Sequence, residues 1–185
     1  MSEANTSEIR IAGFGGQGVI LAGIICGKAA SIFDNKEATL TQAFGPEARG
    51  SACSAQVVVS DETILYPYVN HPDILVTMSQ DAYTKFSPGC RKGAKILIED
   101  ELVKPDVIPE GCTIYSIPAT RFAEELGRRM VLNIVMLGFF TAIAKLINVD
   151  AMRKAVEDSV PRGTTDLNIK AFNKGYEYGV QLLAN

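Results

Sequence analysis

The stretch that most limits the fold of this chain is IRIAGFGGQGVILAGIICGKAA, residues 9 to 30. Four glycines fall within six positions, between two apolar runs. Ile9 to Phe14 reads as a short buried strand. Val19 to Ile32 reads as a helix that is apolar almost all round, with Lys28 its only charge. Such a helix is covered on most sides. The small residues Gly18, Ala22 and Gly23 let it lie close to the strand that feeds it. A strand–turn–helix of this kind opens an α/β layer.

The glycines fit G-x-G-x-x-G at Gly13, Gly15 and Gly18, with Gly16 as a fourth. Glycine permits positive φ and close approach of backbone to a ligand. The free N–H groups and dipole of the following helix favour an anion at its start. Two readings stand: an anion or phosphate cradle, and a tight turn needed only for structure. Nicotinamide binding expects an acidic residue about 20 positions on, at the end of the second strand. Glu37 has the spacing but opens its strand, which ends at Ala43-Phe44 and runs into Gly45-Pro46-Glu47. Gln17 also places a large polar side chain inside the turn. A ligand other than a dinucleotide fits better.

Further along, Glu37 to Phe44 and Ala52 to Ser60 read as strands. The loop FGPEARGSA separates them, and Ile64 to Tyr66 reads as the second arm of a hairpin with Ala52 to Ser60. Strands in direct succession imply a mixed sheet. Asp73 to Thr77 adds a short apolar strand, and Ala94 to Ile98 and Thr113 to Ile117 read as further strands. Gln80 to Phe86 and Ala119 to Leu126 add helices. The last third is helical: an apolar helix from Asn133 to Ile147, one from Ala151 to Asp158 capped by Asp150, and one ending at Leu183 capped by Asp166. The expected fold is a single α/β domain of 185 residues. It is three-layered and Rossmann-like, with a mixed, mainly parallel sheet, a helical C-terminal part and a flexible start over residues 1–8.

Other function classes find little support. Net charge is −3 and no Lys/Arg run exceeds two residues, so a basic nucleic-acid face is missing. Cys26, Cys53, Cys90 and Cys112 form no C-x-x-C pair, and His71 stands alone in a turn. Metal and Fe–S sites need several ligands at workable spacing. Reduced thiols suit a cytoplasmic protein. The start MSEANTSE is polar and acidic, unlike a secretion signal. Val19 to Gly27 and Met130 to Ala144 fall short of the roughly 18 apolar residues of a membrane span; the second reads as a helix buried in a core or an interface. Arg49 lies in a Gly/Pro loop, as a clamp for phosphate or carboxylate or as a solvated or interface arginine. Asn133 reads as a cap or buried hydrogen bond, or as a ligand contact. No catalytic set of side chains stands out.

The combination of GFGGQGV, FGPEARGSACSAQVVVSD, HPDILVTMSQDAY, LNIVMLGFFTA and NIKAFNKGYEYG is more telling. From about Ile9 to Leu183 the chain resembles the γ subunit of 2-oxoacid:ferredoxin oxidoreductases, most closely the 2-oxoglutarate version. The family more often has two glycines after the arginine; here the second is Ser51, which bears on the role of that loop. The resemblance implies a complex that decarboxylates a 2-oxoacid oxidatively, reduces ferredoxin or a similar acceptor and makes an acyl-CoA. It places thiamine diphosphate between α and β subunits and Fe–S clusters in β or in a δ subunit. It gives the γ domain a part in the CoA site, and implies that the isolated chain is inactive, with no catalytic residue of its own. On that reading Gly13, Gly15, Gly16, Gln17 and Gly18 form the CoA site, with the backbone N–H groups of Gly15 to Gly18 holding a phosphate. Arg49, Gly50, Ser51 and Asn133 add to the site, or Arg49 docks a partner subunit. The alternatives are a pyruvate, branched-chain 2-oxoacid or indolepyruvate version, an assembly scaffold that docks through Met130 to Ile147, and an independent nicotinamide-binding enzyme.

Overall fold

The fold is that of a computed structural model, which describes residues 6–43 and 52–184. Six strands form one sheet: β1 (Thr6–Phe14), β2 (Glu37–Ala43), β3 (Ala52–Ser60), β4 (Ile74–Thr77), β5 (Lys95–Glu99) and β6 (Thr113–Ile117). Their order is β2-β3-β1-β4-β5-β6. Only β3 opposes the others, pairing antiparallel with β1 and β2, while β1-β4-β5-β6 are parallel. The sheet is mixed and mainly parallel, as the sequence predicts.

The strand period of two sorts side chains onto opposite faces. Ile9, Ile11, Val57, Val59, Val76 and Leu97 belong to the main core, with α1 (Val19–Lys28), α3 (Ala119–Glu125), α4 (Leu132–Ala144), α5 (Val149–Ser159) and α6 (Thr165–Ala184). Leu75, Ile96 and Ile98 form a smaller core with Tyr83 of α2 (Gln80–Phe86) and Val103. Burial on both faces explains why β3 is almost wholly apolar or small, ACSAQVVVS, rather than alternating.

Helix α4 is the centre of the main core. Every residue from Leu132 to Ile143 is buried, because the sheet covers one side and α6 the other. Met136 and Phe140, expected on a face that docks partner subunits, are 2% and 1% exposed. Of the two readings of this helix, core or interface, the core holds, and the alternative of docking through it is corrected: its apolar surface is satisfied inside its own chain. Close approach makes this fit. A Cβ on Gly138 would lie 2.0 Å from the Phe172 carbonyl oxygen, and one on Gly175 would lie 2.0 Å from that of Val135.

Other local expectations also change. Ile64 to Tyr66 forms no strand, because β3 already pairs on both edges; Pro67 follows, and Leu65 is 92% exposed. The first helix is α-helical only to Lys28 and widens into a π-helical turn over Ala29–Phe33. Helix α5 is capped by Asn148, whose Oδ1 accepts from the N–H groups of Asp150 and Ala151 at 2.8 and 3.4 Å. Asp150 instead pairs with Arg153 at 2.6 Å. Helix α6 starts at Thr165, so Asp166 lies in its first turn rather than before it.

Candidate functional site

In an open α/β sheet, ligands sit beyond the carboxyl ends of the strands, where successive crossovers leave for opposite faces. Here that place is between β1 and β4. β1 leads into α1 on the main-core face, and β4 leads into α2 on the other. The glycine turn lies at this point.

The turn closes with the Gln17 N–H donating to the Phe14 carbonyl at 3.2 Å. Gly16 and Gly18 have φ of 94° and 73°, which favour glycine. Gln17 folds back over the turn. Its Oε1 accepts from the Phe14 N–H, and its Nε2 donates to the Met78 carbonyl, both at 2.7 Å. The side chain thus ties the end of β1 to the end of β4. Gly13 makes room for it, since a Cβ there would lie 2.5 Å from the Gln17 Oε1. Asn133, 3% exposed, donates from Nδ2 to the Gly18 carbonyl at 3.2 Å. That carbonyl also accepts the first bond of α1, from the Ala22 N–H at 2.9 Å. A Cβ on Gly18 would meet the Asn133 Nδ2 at 2.4 Å.

The glycines therefore divide into two pairs. Gly13 and Gly18 are filled by Gln17 and Asn133, whereas a Cβ on Gly15 or Gly16 would meet nothing within 4 Å. The open side of the turn is its middle. Helix α1 begins there with no side-chain cap and no acidic residue in its first turn, so its positive end is left for another anion.

Gly16 and Gln17 line a cleft of about 310 Å³ with Leu102, Arg129, Met130 and Leu132. Leu102 is set by Glu99 at the end of β5, whose fully buried carboxylate accepts from the N–H groups of Leu102 (2.7 Å), Glu101 (3.1 Å) and Thr120 (3.0 Å). Arg129 and Met130 come from the connector between α3 and α4. Sequence reasoning missed both. Their signal was local: the basic pair Arg128-Arg129 stands directly before an apolar helix, followed by a methionine that is 84% exposed.

Arg49, Gly50 and Ser51 lie outside the described residues. The strand residue that follows them, Ala52, pairs with Phe14 at the mouth of the turn. Glu37 pairs with Ser60, which pairs with Thr6, so it stands at the opposite edge of the sheet from the turn. That placement removes it as a ribose-binding acid. Among the described residues, no three His, Cys, Asp or Glu side chains gather as metal ligands. Burial pushes the Cys26 and Cys90 thiols up to about 12, with the neighbouring Cys112 adding to the rise at Cys90. Burial raises Cys53 as well. Thiols held protonated in this way are poor nucleophiles. No helix is long and apolar enough to cross a membrane among the described residues.

Residues 8–178 match the family model described as pyruvate ferredoxin/flavodoxin oxidoreductase. The 2-oxoglutarate synthase subunit KorC of Methanocaldococcus jannaschii is 51% identical, covering 95% of both chains. The KorC subunit of Methanothermobacter marburgensis is 47% identical over 92% of this chain and 95% of its own length. Among solved structures, the keto/oxoacid ferredoxin oxidoreductase γ subunit of Geobacter sulfurreducens superposes with a TM-score of 0.84 at 36% identity, covering 95% of this chain and 99% of that one. The 2-oxoglutarate:ferredoxin oxidoreductase of Magnetococcus marinus, solved with 2-oxoglutarate, coenzyme A and succinyl-CoA bound, shares the fold. Its TM-score is 0.81 at 24% identity, covering 96% of this chain and 31% of that one. The chain belongs to the pyruvate ferredoxin/flavodoxin oxidoreductase family, as a γ-type subunit of the 2-oxoacid:ferredoxin oxidoreductases.

Proposed function

We propose that this chain is the γ subunit of a complex converting 2-oxoglutarate, CoA and an oxidised acceptor to succinyl-CoA and CO2, and that its glycine turn holds a phosphate of CoA. Thiamine diphosphate and Fe–S clusters belong to α and β subunits, or to a δ subunit, in the same cytoplasmic complex, and ferredoxin or a similar acceptor is reduced there. The choice of 2-oxoglutarate rests on the two KorC relatives. The observation that carries the CoA reading is the open middle of the turn: Gly15 and Gly16 face free space at the switch point, beside an uncapped helix start. Backbone N–H groups there can accept an anion without rearrangement. CoA brings a diphosphate and a 3′-phosphate to such a cradle. Gln17 and Asn133 hold the shape of the cradle from behind.

Gly15→Val is the test. Gly15 is not among the positive-φ glycines and its Cβ direction is open, so valine there keeps the fold and obstructs the ligand side. In the reconstituted complex, the KM for CoA rises at least tenfold while the KM for 2-oxoglutarate holds. An unchanged KM for CoA in a properly assembled complex makes the turn structural.

A further inference from the structure

We propose that Arg129 is a phosphate-pairing side chain of the cleft beside the glycine turn, and that Met130 covers apolar parts of the flexible arm of the same ligand. The proposal rests on the CoA reading above and names residues which that reading does not use. Arg129 shares the cleft with Gly16 and Gln17. A guanidinium and the backbone of Gly16 on one cavity suit a phosphate, which takes N–H groups of both kinds as charge-assisted donors. The guanidinium is available for this. Its ion pair with Glu124 spans 4.0 Å, with the two side chains 63% and 56% exposed, a geometry that contributes little in water. A phosphate carries more charge than one carboxylate and competes well for the same arginine.

Met130 supplies the second half of the argument. It is 84% exposed, while Val131 and Leu132, directly after it, are 6% and 5% exposed. The connector buries its next two apolar residues and leaves the methionine in water at the cleft rim. Leu102 and Leu132 line the same cavity. Among the described residues the lining thus combines glycine backbone and one cation with three flexible apolar side chains. That matches a phosphate ligand with a long flexible arm, partly apolar, better than a dinucleotide with two flat bases. A volume of about 310 Å³ is near the lower limit for a small-molecule site, so it holds one part of CoA and leaves the rest along the strand ends. Glu124 is then an internal competitor, released when the phosphate binds.

Two measurements on the reconstituted complex test this: the Kd of CoA by calorimetry without 2-oxoacid, and the KM for CoA during turnover. Arg129→Ala raises both about tenfold or more and leaves kcat within about twofold; Arg129→Lys recovers part of the loss. Glu124→Gln lowers the Kd, an effect that a merely structural arginine would not produce. Met130→Ser raises the Kd severalfold. If Arg129→Ala and Glu124→Gln leave the Kd unchanged while Gly15→Val raises it, the turn works without Arg129 and the inference fails while the CoA reading stands. If Arg129→Ala raises the Kd and Gly15→Val does not, Arg129 keeps its role and the turn loses its own. Should Arg129→Ala weaken assembly, Arg129→Lys and Glu124→Gln decide alone. An unchanged Kd in Met130→Ser removes Met130 from the site.

Discussion

Asn133 and Gly18 act as one unit. The amide of Asn133 occupies the space that a Gly18 Cβ would take, and it donates to the Gly18 carbonyl. Losing a buried hydrogen bond of this kind costs about 1–2 kcal/mol. Asn133→Ala therefore lowers the melting temperature of the chain by about 2–8 °C. Gly18→Ala costs more, since it adds a clash at 2.4 Å to a φ of 73°. In the double variant the clash is gone and only the backbone strain remains, so the two losses are less than additive; melting curves of all four proteins measure this. Strict additivity would mean the two residues do not meet. The role of Asn133 as a buried hydrogen bond was one of two readings open in the sequence. The work of Gln17 was not legible there. Its amide reaches Met78, 61 residues away, and only the pairing of β1 with β4 brings that carbonyl within reach. Arg129 was hidden for the same reason: its neighbours in the cleft come from the turn and from the loop after β5.

At the scale of elements, α4 packs on α6 almost backbone to backbone at Gly138 and Gly175. Gly138→Ala or Gly175→Ala would set a methyl 2.0 Å from a carbonyl oxygen of the other helix. Overpacking a core costs about 1–3 kcal/mol or more, and here backbone rather than a flexible side chain must yield. Each variant is expected to unfold at least about 5 °C earlier by circular dichroism; an unchanged melting curve would mean the helices separate freely. The sequence makes α4 visible as an apolar helix but not its partner. An apolar run is equally consistent with a core and with a docking face, and what decides is the arrival of α6 from some 35 residues further along. Short strands such as β4 and β5 were legible because buried parallel strands read as continuous apolar runs. The false arm at Ile64 to Tyr66 arose because local pattern does not reveal that both edges of β3 are taken.

For the molecule as a whole, the buried Cys26 and the half-buried Cys90 give a pH dependence of known sign. Cys26 and Cys90 are held protonated in the fold, up to about 12, whereas an unfolded chain ionises its thiols near about 8.5. A raised folded value means that this stability is intact below the unfolded value and is lost as pH rises from about 9 towards 12. Urea unfolding at pH 7 and pH 10.5 should show the loss, and a variant with both cysteines as alanine should show a flatter profile. An equal slope in that variant assigns the alkaline loss to other groups. The cradle itself has a different temperament. Gln17 fastens the turn to the next strand and Asn133 fastens it to the central helix. On the proposed CoA reading, a turn held in this way has little conformational entropy left to lose when the ligand arrives. On that reading, a turn fastened at two points needs no closing motion of its own to receive a ligand.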